Sequence, residues 1–188
     1  PTANVCNRLP LPGDGMVINV SRVTTGSSTA IQATENAAVS ETDMDDTLLS
    51  VNVRTVAGMQ DVSRQALERG SGIDSLIMGD LAAAYASTLD AGIINGAGSS
   101  GTHLGILNTT GPTNLGTGTD EDRIIVARRA DLILWEQGDG SPQLIRMDQT
   151  SGGNLTVKVV TYGYSAFSAG RYPTAVSVIS GTGLNDTL

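Results

Sequence analysis

The sequence predicts an α+β chain on three observations. Ile73, Leu76, Ile77, Leu81, Ala84, Tyr85, Leu89 and Ile93 recur at helical spacing, which lays one apolar stripe along a single long helix. The residues after Pro112 break into short runs of alternating apolar and polar side chains, the mark of strands with one covered face. Leu49, Val51 and Val53 alternate with Ser50, Asn52 and Arg54, so a half-buried strand leads into the helical region.

Residues 1–56 form the first part. Pro10, Pro12 and Gly13-Asp14-Gly15 precede a strand at Met16–Thr24, a turn at Gly26-Ser27-Ser28, a polar return, and a second strand at Leu48–Val56. The two strands read as a long arm. Between Arg22 and Arg54 the chain carries Glu35, Glu41, Asp43, Asp45 and Asp46 and no base. Such a run is commonly a solvated face. A lone hairpin is only marginally stable and exposes unpaired edges, so the sharper reading lays the arm across an adjacent subunit.

Residues 57–111 are the helical part. Asp61-Val62-Ser63 opens a short helix, Arg64–Arg69, that Gly70 ends. Ser71 and Asp74 have the spacing of a capping box, which predicts the long helix over 72–95, and Gly96 is placed to close it in a left-handed conformation. The helix would be roughly 35 Å long at ~1.5 Å per residue. Gly96-Ala97-Gly98-Ser99-Ser100-Gly101 matches a dinucleotide-binding pattern, but it follows a helix, whereas phosphate binding needs it between a strand and a helix N-terminus. The simpler reading is a chain reversal.

Residues 112–188 are strand-rich: Ile124–Ala127, Leu132–Glu136, Gln143–Met147, Leu155–Tyr162 and Thr174–Ser180. Gly138-Asp139-Gly140 predicts a hairpin between the second and third of these. The sheet is expected to pack on the apolar stripe of the long helix.

These blocks, in this order, resemble the major capsid proteins of tailed bacteriophages of the HK97 type. GSGIDSLIMGDLAAAYASTLDAGIINGAGSSGTHLGIL is similar to the family's spine-helix region, and IQATENAAVSETD to its extended E-loop. PTNLGTGTDEDRIIVARRADLILWE and YGYSAFSAGRYPTAVSVISGTGL are similar to strands of its peripheral domain. The resemblance implies an HK97-like fold: a peripheral domain with a spine helix on an antiparallel sheet, and a β-hairpin E-loop. It also implies a structural protein with no catalytic role and no cofactor, which self-assembles into pentamers and hexamers of an icosahedral shell around DNA. Assembly would take place in the bacterial host cytoplasm, with scaffold or portal proteins as further partners. The family inserts an axial domain between blocks like GTHLGIL and PTNLGTGTDED. Here Leu107 is followed almost at once by Pro112, so that domain is missing or truncated, whether by design, in a naturally reduced relative, or because a stretch was left out of the sequence.

The family's isopeptide cross-link joins an E-loop lysine to an asparagine of another subunit. The single lysine is Lys158, in a C-terminal strand, and the position matching the reactive lysine is Val39. No such bond is expected. An encapsulin-like compartment shell and a monomeric α+β binding or hydrolytic domain are the competing readings.

Composition supports a thin, self-associating molecule. Of 188 residues, 23 are glycine and only Tyr85, Trp135, Tyr162, Tyr164, Phe167 and Tyr172 are aromatic, few for the core of a compact enzyme. The net charge of -8 argues against specific nucleic-acid binding. Cys6, the single cysteine, excludes an internal disulfide and a cysteine-built zinc site. No apolar run reaches the ~20 residues that cross a bilayer, so a soluble chain made in a reducing cytoplasm is expected. A start at Pro1 suggests that upstream residues were removed.

Catalytic constellations are weak. Any triad or histidine-metal site would need His103, the lone histidine, which lies in what reads as a flexible connector. Asp43, Asp45 and Asp46 lack the glycine and distal glutamate of a calcium loop, Asp120-Glu121-Asp122 is no stronger, and the shortage of aromatic residues argues against a sugar cleft. No catalytic, cofactor or metal residue is assigned. The residues singled out are interface candidates: Glu35, Glu41, Asp43, Asp45 and Asp46 on the arm, meeting Arg64, Arg69, Arg128 or Arg129 of a neighbour.

Overall fold

A computed structural model describes residues 2–32, 34, 35, 38, 39, 41–115, 123–138, 142–148 and 155–180. In chain order its elements are β1 (Asn7–Pro10), β2 (Val17–Thr25), β3 (Asp45–Asn52), β4 (Arg54–Ser63), α1 (Arg64–Arg69), α2 (Ile73–Asn95), β5 (Thr113–Leu115), β6 (Arg123–Ala127), β7 (Ile133–Glu136), β8 (Gln143–Asp148), β9 (Thr156–Ser168) and β10 (Val176–Ser180).

β9 organises the body. One edge of it pairs antiparallel with β4, from Arg54 opposite Ser165 to Ser63 opposite Thr156. The other edge carries two strands end to end: β8 against Val157–Tyr162 and β7 against Ser165–Ser168. β7 and β8 are therefore collinear rather than the expected hairpin, and Gln137 continues the ladder by donating its N–H to the Tyr164 carbonyl at 3.1 Å. Of the proposed turn, Asp139 and Gly140 lie outside the described residues. β1 runs parallel to β7 at the sheet margin. A second sheet places β10 between β5, parallel, and β6, antiparallel.

The main sheet is covered on both faces at one end and on one face at the other. Leu134 and Phe167 point towards α2 and pack with Tyr85, Leu89, Ile93, Ala3 and Cys6. Their neighbours Ile133, Trp135 and Ala166 point the other way, onto Val51, Val53, Ile18 and Leu49 at the root of the β2–β3 hairpin. That is why all four residues of β7 are buried. Along β9 from Thr156 to Tyr162 only alternate residues are buried, because α2 covers one face there and no core cluster among the described residues covers the other. The first residues, expected with the arm, instead belong to this body: Cys6 is fully buried, and the Ala3 N–H donates to Asp90 Oδ1 at 3.1 Å.

The helices follow their local signals with two differences. Ser63 caps α1, accepting from the Ala66 N–H at 3.3 Å. For α2 no side chain caps the start. The N-cap is Gly72 at φ 80°, left-handed, and Ser71 is left outside the helix. At the other end Gly96 is extended, with φ -62°, and the His103 carbonyl lies where a Cβ would be. The left-handed reversal falls instead on Gly98, at φ 74°. The buried positions of α2 are Ile77, Leu81, Tyr85, Leu89 and Ile93, a strict four-residue series. At about 100° per residue such a series rotates round the helix, so its N-terminal half meets Val159 and Val62 while its C-terminal half enters the main core. Leu76, off that line, is exposed.

Val53 divides the predicted Leu48–Val56 strand. Before it β3 belongs to the hairpin, and after it β4 belongs to the body sheet. Between Gly105 and β5 the chain makes only a 3-10 turn, Ile106–Asn108, in which the Asn108 amide donates to the Asn95 and Gly96 carbonyls at 3.1 Å and closes the end of α2. No second domain is inserted there.

Candidate assembly interface

The arm is built by β2 and β3, paired antiparallel from Val17 opposite Asn52 to Thr25 opposite Asp45, with a bulge between Val23 and Thr25. Past the ladder the predicted turn at 26–28 does not form. The two legs continue side by side, with Ser28 and Thr42 joined through their hydroxyls. Among the described residues, the packing onto the body is at the root. Further out Ile31 is 97% exposed and Val39 79%, with Met44 and Leu48 also bare. Single exposed apolar residues are ordinary, but this series along one projecting arm is the pattern of a surface that another molecule covers.

All five arm acids are exposed, and among the described residues none is in an ion pair within the chain. Three of the four arginines expected to receive them have partners at home. Arg64 Nε lies 2.7 Å from Glu68 Oε1, one helical turn away. Arg128 grips Asp131 bidentately, Nε to Oδ2 at 2.7 Å and Nη2 to Oδ1 at 3.0 Å, and this carboxylate raises the guanidinium's pKa. Arg129 Nε donates to the Cys6 carbonyl at 3.4 Å. Arg69 is exposed on α1. Both ion pairs were readable as Arg-x-x-x-Glu and Arg-x-x-Asp spacings. Arg54, which ends the acidic run, was not singled out, and it lies part-buried at the root of the arm.

His103 is 5% exposed and packed rather than in a flexible connector. Its Nε2 is 3.0 Å from Ser165 Oγ, while burial, with the Arg54 charge beside it, lowers its pKa to about 4. Ser165 has no exposed surface and Nδ1 has no partner, so the pair offers neither an accessible nucleophile nor an oriented base. The glycine-rich loop sits at the C-terminus of α2, where carbonyls rather than N–H groups are presented. Among the described residues no three His, Cys, Asp or Glu converge to hold a metal, and Asp120-Glu121-Asp122 lies outside them. Lys158 stands on β9 with Nζ 3.7 Å from Asp61 Oδ1. No helix among the described residues is long and apolar enough to cross a membrane.

No curated protein sequence matches the chain. Solved structures match its fold. The capsid of a native GTA particle superposes with a TM-score of 0.68 at 10% identity, over 95% of this chain and 89% of that one. Mycobacterium phage Adephagia matches with a TM-score of 0.68 at 9% identity, over 97% and 90%. The capsid of Myoviridae phage XM1 matches with 0.65 at 12%, over 96% and 90%. At such identities the likeness establishes an HK97-like fold. The profile of the phage capsid family matches residues 3–150. A structural shell protein is therefore favoured over an enzyme-cargo compartment or a monomeric binding domain, and the chain belongs to the phage capsid family, the major capsid proteins that form tailed-phage virions.

Proposed function

We propose that copies of this chain associate through the arm into pentameric and hexameric capsomers of an icosahedral shell around DNA, built in the host cytoplasm with scaffold or portal proteins as partners. In this reading Glu35, Glu41, Asp43, Asp45 and Asp46 face basic groups of a neighbour. Arg69 remains a candidate to receive them, while Arg64, Arg128 and Arg129 would have to share their present partners. The family's axial domain is, in this reading, missing or truncated, since the chain passes from Gly105 to β5 through a single 3-10 turn.

The observation that carries the proposal is the uncovered arm: Ile31, Val39, Met44 and Leu48 are exposed along it. A projecting hairpin with an exposed apolar series and free edges is a surface that a partner subunit covers.

The test is light scattering and negative-stain microscopy of the purified chain beside a variant in which residues 27–43 are replaced by an Asn-Gly turn. The full chain is expected to form rings or shells. The shortened one is expected to stay monomeric with its melting temperature nearly unchanged. A full chain that remains monomeric at every concentration would overturn the proposal.

A further inference from the structure

Where β3 passes into β4, a cavity of about 250 Å³ opens between the hairpin root, the loop after α2 and the end of β9. Ser50, Asn52, Arg54, Thr102, His103 and Ser168 are among its lining residues, and none of those residues is acidic. Arg54 spends one donor, Nη2, on the Gly98 carbonyl at 3.2 Å. Among the described residues it has no carboxylate partner. Arg8, Arg64, Arg128 and Arg146 each have one. His103 is neutral near pH 7, so the charge on this cavity is that of Arg54 alone.

A part-buried guanidinium with spare donors and an adjoining cavity is an unfinished carboxylate site, since bidentate pairing is what its planar fork favours. The complementary charge is on the same chain but out of reach. Residues 23–53 hold five acids and no base. β3 keeps Asp46 about 20 Å from Asn52 at ~3.4 Å per residue, so the distal acids point away from their own Arg54.

We propose that this cavity is a socket for the acidic distal arm segment, residues 41–46, of a second copy, with Arg54 receiving the carboxylates of Asp43, Asp45 or Asp46. The proposal rests on the self-assembly reading and gives it a residue-level contact. Tip into root is a head-to-tail contact between unlike patches. Each copy then offers one tip and one socket, and such a contact closes into rings when its rotation permits.

The experiment measures ring formation against concentration for four chains. The unmodified chain should form rings. Arg54→Gln, which retains an N–H donor for the Gly98 carbonyl, should need about tenfold or more higher concentration with its melting temperature little changed. A variant carrying Asp43→Lys, Asp45→Lys and Asp46→Lys, all at exposed positions, should fail equally. Those three changes combined with Arg54→Glu should regain rings by charge exchange. Rings from Arg54→Gln or from the lysine variant at the unmodified concentration would defeat the socket alone, as would failure of the charge-exchanged chain to assemble. An unmodified chain that stays monomeric would defeat the assembly reading together with the socket.

Discussion

The root and the tip of the arm lie on the same two strands, yet they inhabit different environments. At the root, Val51 and Val53 are buried against Ile133, Trp135 and Ala166, so the hairpin serves as the third layer of the body. Beyond the ladder, Ile31, Val39 and Met44 are exposed. Alternating apolar residues thus specify that a face is to be buried and say nothing about which chain will bury it. Stability should depend on the root and the body, and association on the tip.

The largest effect belongs to the body. Phe167 is 2% exposed and packs with Leu134, Leu89 and Ile93 between sheet and helix. Phe167→Ala should cost about 3–5 kcal/mol in denaturant unfolding. A loss below ~1 kcal/mol would show that this layer is far looser than its burial implies, and would erase the contrast with the arm.

A second effect comes from acid. Folded His103 titrates near 4 against a reference of 6.5, because its charged form is desolvated and stands beside Arg54. Between those values the unfolded chain binds the additional proton, so stability falls as pH falls through this window and the loss is complete below the folded pKa. On the order of 2–3 kcal/mol should be lost from this group between pH 7 and pH 4.5. His103→Gln removes the titration, so the two chains should lose stability at different rates in urea unfolding over that range. Parallel pH profiles would place His103 in contact with water. The tip has no buried titrating group and contributes nothing to the difference.

What the sequence discloses divides along the same line. The α1 boundaries were legible because Ser63 and Gly70 act within one turn, and α2 because its stripe is local. Long-range effects were not. Gly96 reads as a helix-closing glycine, yet what it accommodates is the His103 carbonyl, brought back by the loop reversal. The strand expected over Leu155–Tyr162 continues through Gly163 to Ser168, and the Tyr85 phenol lies where a Cβ at Gly163 would be. β7 and β8 share one edge of β9 because that strand runs on to Ser168, and no turn signal between them could disclose it. β1 escaped notice because its partner, β7, lies far along the chain. For the proposed interface, charge segregation marks the acidic arm, but which arginines already hold a carboxylate is decided by packing: Arg128 is held by Asp131, whereas among the described residues Arg54 has no carboxylate partner.

The smallest effect in the isolated chain is also the one that separates tip from root most sharply. Ile31, 97% exposed, makes too little contact with its own chain for Ile31→Ser to matter in unfolding, where a change within ~0.5 kcal/mol is expected. If a neighbour covers it, each subunit loses about 1.5–3 kcal/mol of apolar burial at the contact. That is roughly tenfold or more in each association constant. The midpoint concentration for assembly, read by light scattering, should therefore rise at least tenfold while the melting temperature of the dissociated chain stays fixed. An unchanged midpoint would mean that Ile31 remains in water after assembly, and that the cover for the arm begins nearer the root.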